Sequence, residues 1–242
     1  MRIVRLAACP LLAIALLALA LTGCRGNPLV RANVSIDWVD FVKWDGRSYE
    51  AMYNRALTDP SDIGPGVGEV KFKLEGNVHS PGYRSKNGDA AYLEPGTVLY
   101  ELKSRPDRSI LAVRDDKAIG GYALYADPEK QTGYPWHFKD IPKGKVTLVE
   151  IYRYGPDDEP AMMNLLENEK AAAFVNLLER SAASESYSPA PGGPDPEMFT
   201  VVLSAGGTVG FRYHLFHDDK SYYWSPWDTV PLPGEIGSYL NS

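Results

Sequence analysis

The chain has 242 residues and a formal charge of −6, from 25 Lys and Arg against 31 Asp and Glu. This acidic balance argues against a protein that binds the phosphates of nucleic acid, because such proteins carry a basic surface. Only two cysteines are present, which excludes a small fold held by several disulfides.

The first residues have the order of a secretory signal peptide. Arg2 and Arg5 give a positive start, and an uncharged apolar stretch follows over residues 6–20. That stretch is too short and wrongly flanked for a stable membrane span. Residues 1–23 are therefore predicted to be a signal peptide that the mature protein lacks.

The apolar stretch ends at Leu21-Thr22-Gly23-Cys24, which resembles the lipobox of bacterial lipoproteins. The resemblance implies that Cys24 is diacylated on sulfur and becomes the first residue after cleavage. Two or more acyl chains hold a protein stably on a membrane, whereas one chain holds it marginally. We therefore expect a protein anchored by lipid to the cell membrane on its extracytoplasmic face. The alternative is an ordinary cleaved signal peptide that leaves Cys24 as a free thiol.

Residues 24–33 are predicted to form a short lipidated tether, and residues 34–242 are predicted to form a single extracytoplasmic domain. The residue after Cys24 is Arg25 and not the Asp that would favour retention in an inner membrane. Sorting to the outer membrane is therefore expected if the cell has one.

The domain is predicted to open with a β-hairpin. Residues 35–44 alternate imperfectly, and Asp45-Gly46 is a strong turn signal before a return strand over residues 48–53. A Pro/Gly loop is predicted over residues 59–68. Residues 69–75 then alternate fully, which predicts a strand that points Val70, Phe72 and Leu74 toward a core.

Several short strands and one helix complete the predicted fold. Turn residues separate the further strand candidates, which favours antiparallel pairing; they span residues 90–93, 97–103, 109–114, 121–125, 145–154, 199–203, 208–216 and 221–224. Acidic residues and Pro160 precede strong helix formers, which predicts a long helix near residues 161–181. A Pro/Gly-rich run at 188–197 indicates a surface loop or a subdomain break. The predicted class is α+β, mostly antiparallel sheet in hairpins and meanders, with one long helix.

Residues 33–46 and 88–103 resemble small lipoproteins of Gram-positive bacteria. This resemblance implies no catalytic motif and no particular activity. The run at residues 64–68 (GPGVG) is unlike a phosphate-binding loop, because it precedes a strand and Pro65 lacks an amide donor. No nucleophile-elbow motif is present either.

Metal and cofactor motifs are absent from the sequence, and neither a metal nor a cofactor is expected. His217 beside Asp218 and Asp219 could form a weak surface metal site, but a solvated hairpin tip explains the same residues. The adjacent acidic pairs at 115–116, 157–158 and 218–219 fall at turns, which does not predict the facing carboxylates of a glycosidase.

Aromatic residues give the candidate binding site. The chain has 15 Tyr and 5 Trp but only 7 Phe, and Tyr and Trp combine an apolar ring with a polar edge. Two clusters, at residues 134–138 and 222–227, lie in predicted loops. Their candidate ligand-binding residues are Trp136, Tyr223, Trp224 and Trp227, which could stack on sugars or clamp a Pro-rich peptide. The alternative is that these rings close the ends of a β core.

Three functions remain open from the sequence. The first is a lipid-anchored binding or interaction domain without catalysis, with a glycan, a peptide or an envelope protein as partner and no nucleic acid. The second is an envelope carbohydrate-active hydrolase that uses dispersed carboxylates. The third is a structural or assembly lipoprotein that contacts a partner through the helix at 161–181 or a sheet edge.

Overall fold

The computed structural model of the protein describes residues 36–131, 137–181, 187–188, 195–225 and 230–240. Contacts divide the chain into a small unit, residues 1–36 and 79–81, and a large body, residues 37–78 and 82–242. The predicted signal peptide, Cys24 and the tether lie outside the described residues. Within the described ranges, no helix is long and apolar enough to cross a membrane.

The described part of the body is mostly β, with only short helices. The strands are β1 Phe41–Trp44, β2 Arg47–Ala51, β3 Arg55–Leu57, β4 Ile63–Glu69, β5 Phe72–Lys73, β6 Asp89–Ala90, β7 Val98–Leu102, β8 Ile110–Arg114, β9 Tyr122–Ala126, β10 Leu148–Tyr154, β11 Pro160–Glu167, β12 Glu197–Ser204, β13 Val209–His217 and β14 Tyr222–Ser225. The α-helices are α1 Asn168–Glu179 and α2 Gly237–Leu240. Short 3₁₀ helices span Pro60–Asp62, Ile119–Gly121, Pro128–Lys130, Phe138–Asp140, Lys143–Lys145 and Gly234–Ile236.

Eight strands form a curled sheet in the order β4-β7-β8-β9-β2-β1-β6-β5. The sheet is mixed, because β5 runs parallel to β6 while the other neighbours are antiparallel. Strands β4 and β5 follow each other in the chain, yet they lie at opposite ends of this order. Between them, Val70 donates its amide to the Thr97 carbonyl and Lys71 donates its amide to the Gly88 carbonyl. The segment 63–73 thus pairs with both ends of the sheet and closes the curl.

Strand β8 is buried on both faces of the curled sheet. Leu111 and Val113 point into the curl, whereas Ile110 and Ala112 belong to a cluster on its outer side. A strand that is covered on both faces is apolar throughout, which explains why its sequence shows no alternation. The outer cluster includes residues from both sheets: Met52, Leu57, Leu102, Leu124 and Ala126.

A second sheet has the order β11-β10-β12-β13-β14, and β3 also pairs with β13. One face packs beneath α1 in the largest hydrophobic cluster, which includes Val149, Ile151, Phe174, Leu178 and Val201. Because side chains alternate along a strand, the intervening residues of β10, β12 and β13 point to the opposite face. That opposite face contributes one wall of the site described below.

The predicted hairpin at Asp45-Gly46 is confirmed. Asp45 and Gly46 both have positive φ, at 49° and 75°, as a type I′ turn requires. Phe41 pairs with Glu50 and Trp44 with Arg47 across this turn.

The prediction of one long helix over 161–181 is wrong in its first third. Residues Pro160–Glu167 form strand β11 along β10, and α1 covers only Asn168–Glu179. Pairing with β10 overrides the helix propensity of these residues, and Leu166 is buried in the core cluster on one face of the strand. Asn168 has φ 49° at the junction, where the strand gives way to the helix.

The Gly-rich run predicted as a loop is the edge strand β4. At Gly68 an added Cβ would lie 2.1 Å from Cζ2 of Trp44, so only glycine lets the indole pack there. Farther along, Val70 and Leu74 are buried as predicted, but Phe72 is 37% exposed. The alternation fails at Phe72 because the chain changes pairing partners between β4 and β5.

Asp62 links the two sheets through a buried carboxylate. It accepts hydrogen bonds from the Ser104 amide at 2.8 Å and the Ser104 hydroxyl at 2.6 Å. It also accepts one from the Thr208 hydroxyl at 2.5 Å. Ser104 follows β7 of the curled sheet, and Thr208 precedes β13 of the second sheet. Burial raises the pKa of Asp62, but these hydrogen bonds outweigh it and hold the pKa below its usual value.

Replacing Asp62 should therefore destabilise the protein. We expect Asp62→Ala to lower the free energy of unfolding by about 2–3 kcal/mol at pH 7, because three donors lose the charged acceptor that links the sheets. Since the folded pKa lies below the unfolded value of 3.8, this contribution is present above pH 3.8. It is lost as the pH falls through the folded pKa.

Urea unfolding at pH 7 and at pH 2.5 measures both effects. Asp59→Ala is the matched control, because exposed Asp59 only caps the neighbouring turn through the Ser61 amide. An Asp62→Ala protein as stable as the wild type at pH 7 would show that this carboxylate does not hold the sheets together.

Candidate functional site

A cleft of about 490 Å³ lies at one open end of the curled sheet. The first wall comes from the ends of β1, β2, β8 and β9 and includes Asp40, Tyr53, Val113, Tyr122 and Tyr125. The second wall comes from β3 and from one face of the second sheet and includes Arg55, Tyr154, Met198, Arg212 and His214. Ends of curled sheets and the space between layers are common positions for small-molecule sites.

Strand register explains why the residues of the second wall share one face. Tyr152 pairs with Thr200, and Thr200 pairs with His214. Directly opposite residues in a sheet point to the same side, and so do residues two apart in one strand. Tyr154 and Arg212 therefore project to the same side as Tyr152 and His214.

Two tyrosines hold the carboxylate of Asp40 at the first wall. The Tyr53 hydroxyl donates to Asp40 Oδ2 at 2.9 Å, and the Tyr125 hydroxyl lies 3.3 Å from both carboxylate oxygens. Burial raises the pKa of Asp40, and the two tyrosine hydrogen bonds offset part of that rise. Burial and the Asp40 carboxylate raise the pKa of Tyr53 to about 12 and also raise the pKa of Tyr125. Both phenols thus keep their protons at neutral pH and donate to Asp40.

The hydroxyl of Tyr53 is held by a hydrogen bond, whereas its ring is exposed to solvent. Its hydroxyl is held by Asp40, yet the residue is 68% exposed. An exposed aromatic ring whose orientation is fixed in advance presents a flat surface at low entropic cost to a ligand. Such a ring is suited to stacking against a ligand at the mouth of the cleft.

The cations that line the cleft differ in their partners. Arg114 pairs with Asp116 at 3.1 Å, and Lys117 lies 3.5 Å from Asp158. The guanidinium of Arg55 lies 4.0 Å from the centre of the Phe211 ring. Arg212 makes no ion pair with any described residue, and its buried Nε has no hydrogen-bond acceptor there.

His214 contributes a neutral imidazole beside this arginine. Its Nδ1 shares a hydrogen bond of 3.0 Å with the Thr200 hydroxyl. Burial and the nearby charge of Arg212 lower the pKa of His214 to about 4. The ring is therefore uncharged at neutral pH, and a polar ligand meets one positive charge at this point rather than two.

The aromatic residues predicted from the sequence do not line this cleft where they are described. Tyr223 and Trp224 are 4% and 5% exposed. Trp224 packs 5.3 Å from Phe138, and Tyr223 stacks 5.8 Å from Phe216, both measured between ring centres. Trp136 and Trp227 lie outside the described residues. A ligand role for these four residues stays a prediction.

Sequence reasoning missed the residues that do line the cleft. One local signal was available, because Arg212 and His214 alternate with apolar residues in β13 and so mark one polar face. No comparable signal links Asp40, Tyr53 and Tyr125, since the curl of the sheet alone brings them together. Near the suspected metal site, His217 stacks 4.2 Å from Tyr222 and Asp218 accepts from the Ser221 amide. Across the described ranges, no group of three His, Cys, Asp or Glu side chains could hold a metal ion.

Comparison with known proteins identified no relative of this chain. No protein-family model matches the chain, and no curated protein or solved structure matches it. The chemistry of the cleft and the N-terminal sequence are therefore the grounds for a functional proposal.

The buried histidine should make stability depend on pH. An unfolded histidine has a pKa near 6.5, so between pH 6.5 and pH 4 the unfolded chain takes up a proton that folded His214 does not. Unfolding thus becomes easier as the pH falls through this range, by an amount on the order of 2–3 kcal/mol. Urea unfolding should show this loss in the wild type and a smaller one in His214→Asn. An NMR titration of the His214 ring with a midpoint near 6.5 instead of 4 would contradict the assignment.

Proposed function

We propose that the protein is a membrane-anchored extracytoplasmic lipoprotein that binds a small polar ligand in the cleft and does not transform it. The cleft at the end of the curled sheet is the observation that carries this proposal. Its volume of about 490 Å³ falls within the range of small-molecule sites, roughly 300–1,000 Å³. A monosaccharide or a short peptide fragment has a suitable size.

The organisation of the cleft supports binding. Apolar and polar side chains both line the cleft, with Asp40 and its tyrosines on one wall and Arg212 on the other. Groups that are already held in place lose little entropy when a ligand arrives. A pocket built in this way selects a ligand by the position of its donors and acceptors.

The N-terminal sequence supports the membrane anchor. The lipobox at residues 21–24 follows a positive start and an apolar stretch in the order that lipoproteins use. An anchor at Cys24 would place the cleft outside the cytoplasm. Ligands available there include cell-wall fragments, glycans and peptides.

A hydrolase is the second candidate, and Asp40 is the observation that favours it. Burial raises the pKa of Asp40 in a cleft, as the general acid of a glycosidase requires. The other cleft carboxylates have structural partners, since Asp158 lies 3.5 Å from Lys117 and Asp115 accepts from the Lys117 amide. Binding therefore ranks ahead of hydrolysis. Recovery of an intact glycan after incubation with the protein supports binding, and cleavage that Asp40→Asn abolishes supports the hydrolase.

Filling the cleft should abolish ligand binding. Ala118 lines the cleft from a half-buried loop position, so Ala118→Trp places an indole in the space that a ligand would occupy. A thermal-shift screen of sugars, cell-wall fragments and peptides should give a stabilising ligand for the wild type, by about 2.7 kcal/mol at 100 times its Kd. The same ligand should not stabilise Ala118→Trp. The control is Ala172→Trp on the exposed side of α1, which should bind normally. Equal binding by both variants would place the site elsewhere.

Removing the modified cysteine should release the protein from the membrane. We expect Cys24→Ser to move the protein from the detergent phase to the aqueous phase in a Triton X-114 partition, because the acyl chains have lost their attachment site. Cys9→Ser should leave the partition unchanged, because Cys9 lies within the predicted signal peptide. Metabolic labelling with a fatty acid should mark the Cys9→Ser protein and not Cys24→Ser. Labelling of both would refute acylation at Cys24.

A further inference from the structure

Arg212 places in the cleft of an acidic protein a positive charge that no described carboxylate neutralises. The chain carries a formal charge of −6, yet no described carboxylate lies within ion-pair distance of this guanidinium. Its Nε is buried and has no acceptor among the described residues. A buried donor without an acceptor is costly, so such a group in a native protein calls for a partner.

The chemistry of guanidinium indicates which partner would fit. Arginine presents a planar set of N–H donors that matches the two oxygens of a carboxylate. The imidazole of His214 next to it is neutral, so the positive charge at this point of the wall comes from Arg212, and an anionic group would complement it. Lys117 and Arg114, which also line the cleft, already face Asp158 and Asp116.

The first wall indicates what the rest of the ligand is. The exposed ring of Tyr53 is a flat apolar surface whose orientation is fixed through its hydroxyl. A carboxylate offers about four acceptor positions. The hydroxyls of Tyr53 and Tyr125 occupy only part of the capacity of Asp40. A ligand with a ring face and adjacent hydroxyl donors would use both features, as a pyranose does.

We propose that the ligand of this cleft is a sugar that bears a carboxylate, such as a uronic acid or a muramic acid. Arg212 binds the carboxylate, Asp40 accepts hydrogen bonds from ring hydroxyls and Tyr53 stacks on the sugar. This inference rests on the proposed function, because it names the class of ligand for the same cleft. A peptide carboxylate would satisfy Arg212 equally well, but it would leave the ring of Tyr53 and the free acceptor positions of Asp40 unused.

The test compares acidic sugars with their neutral counterparts. The protein, purified in mild detergent, is titrated by calorimetry with N-acetylmuramic acid against N-acetylglucosamine, and with glucuronic acid against glucose. In each pair the acid should bind at least about tenfold more tightly, because a charge-assisted hydrogen bond is added. Raising the salt concentration should reduce this preference, since the attraction is between charges.

Three variants assign the parts of the site. Arg212→Gln should bind both sugars of a pair equally, because the charge that distinguishes them is gone. Arg180→Gln is the matched control, since Arg180 is exposed and pairs with Glu235 away from the cleft, and it should keep the full preference. Tyr53→Ala changes an exposed ring, so this variant should fold normally. It should bind both sugars of a pair about tenfold more weakly and keep the preference for the acid.

The possible outcomes distinguish a wrong ligand class from a wrong assignment of the cleft as a binding site. If the neutral sugars bind as tightly as the acids, or if Arg212→Gln keeps the preference, the acidic-sugar assignment is overturned. If peptides bind, sugars do not, and Ala118→Trp blocks the peptides, the cleft function stands and only the sugar class is overturned. If no member of the panel binds, both proposals are overturned. Should Arg212→Gln fail to fold, the wild-type preference and its salt dependence still decide the question.

Discussion

The double pairing of the segment 63–73 is the constraint on which the rest of the body depends. Its first part bonds to β7 and its second part to β6, so the first sheet has to curl until its two ends meet. Gly68 makes this possible, because a side chain there would collide with the indole of Trp44. The curl creates both an apolar interior and an open end. At that end Asp40, which precedes β1, meets Tyr125 of β9.

The second wall of the cleft follows from a short connection. Only Met52, Tyr53 and Asn54 separate β2 of the curled sheet from β3, which pairs with β13 of the second sheet. The two sheets are thus adjacent from the start, and the hydrogen bonds of Asp62 hold them together at a second point. The cleft is the space that remains on one side of this junction. Its walls belong to two different hydrogen-bonded sheets, so their spacing depends on both contacts.

Short-range signals in the sequence predicted the local turns. Long-range pairing determined the structure of segments whose local signals were misleading or absent. The Asp45-Gly46 turn was predictable because Asp and Gly locally favour the positive φ values that this turn requires. Residues 161–167 were predicted as part of a helix because their propensities are helical, but β10 offers them a pairing edge that no local pattern reveals. Asn164 then protects this outer strand, since its side chain accepts from the Leu165 amide and donates to the Tyr239 carbonyl. Likewise, Asp40 and Arg212 are 172 positions apart, so the cleft became visible only in the folded chain.

Hydrogen–deuterium exchange with and without N-acetylmuramic acid tests most directly whether the cleft between the two sheets binds an acidic sugar. Amide exchange reports local opening, and a bound ligand suppresses the opening of the segments that it contacts. Binding in the cleft predicts slower exchange in residues 51–56 and 113–125, which include the cleft lining from the first sheet and β3. Unchanged exchange there, or slower exchange confined to α1 and β14, would contradict it.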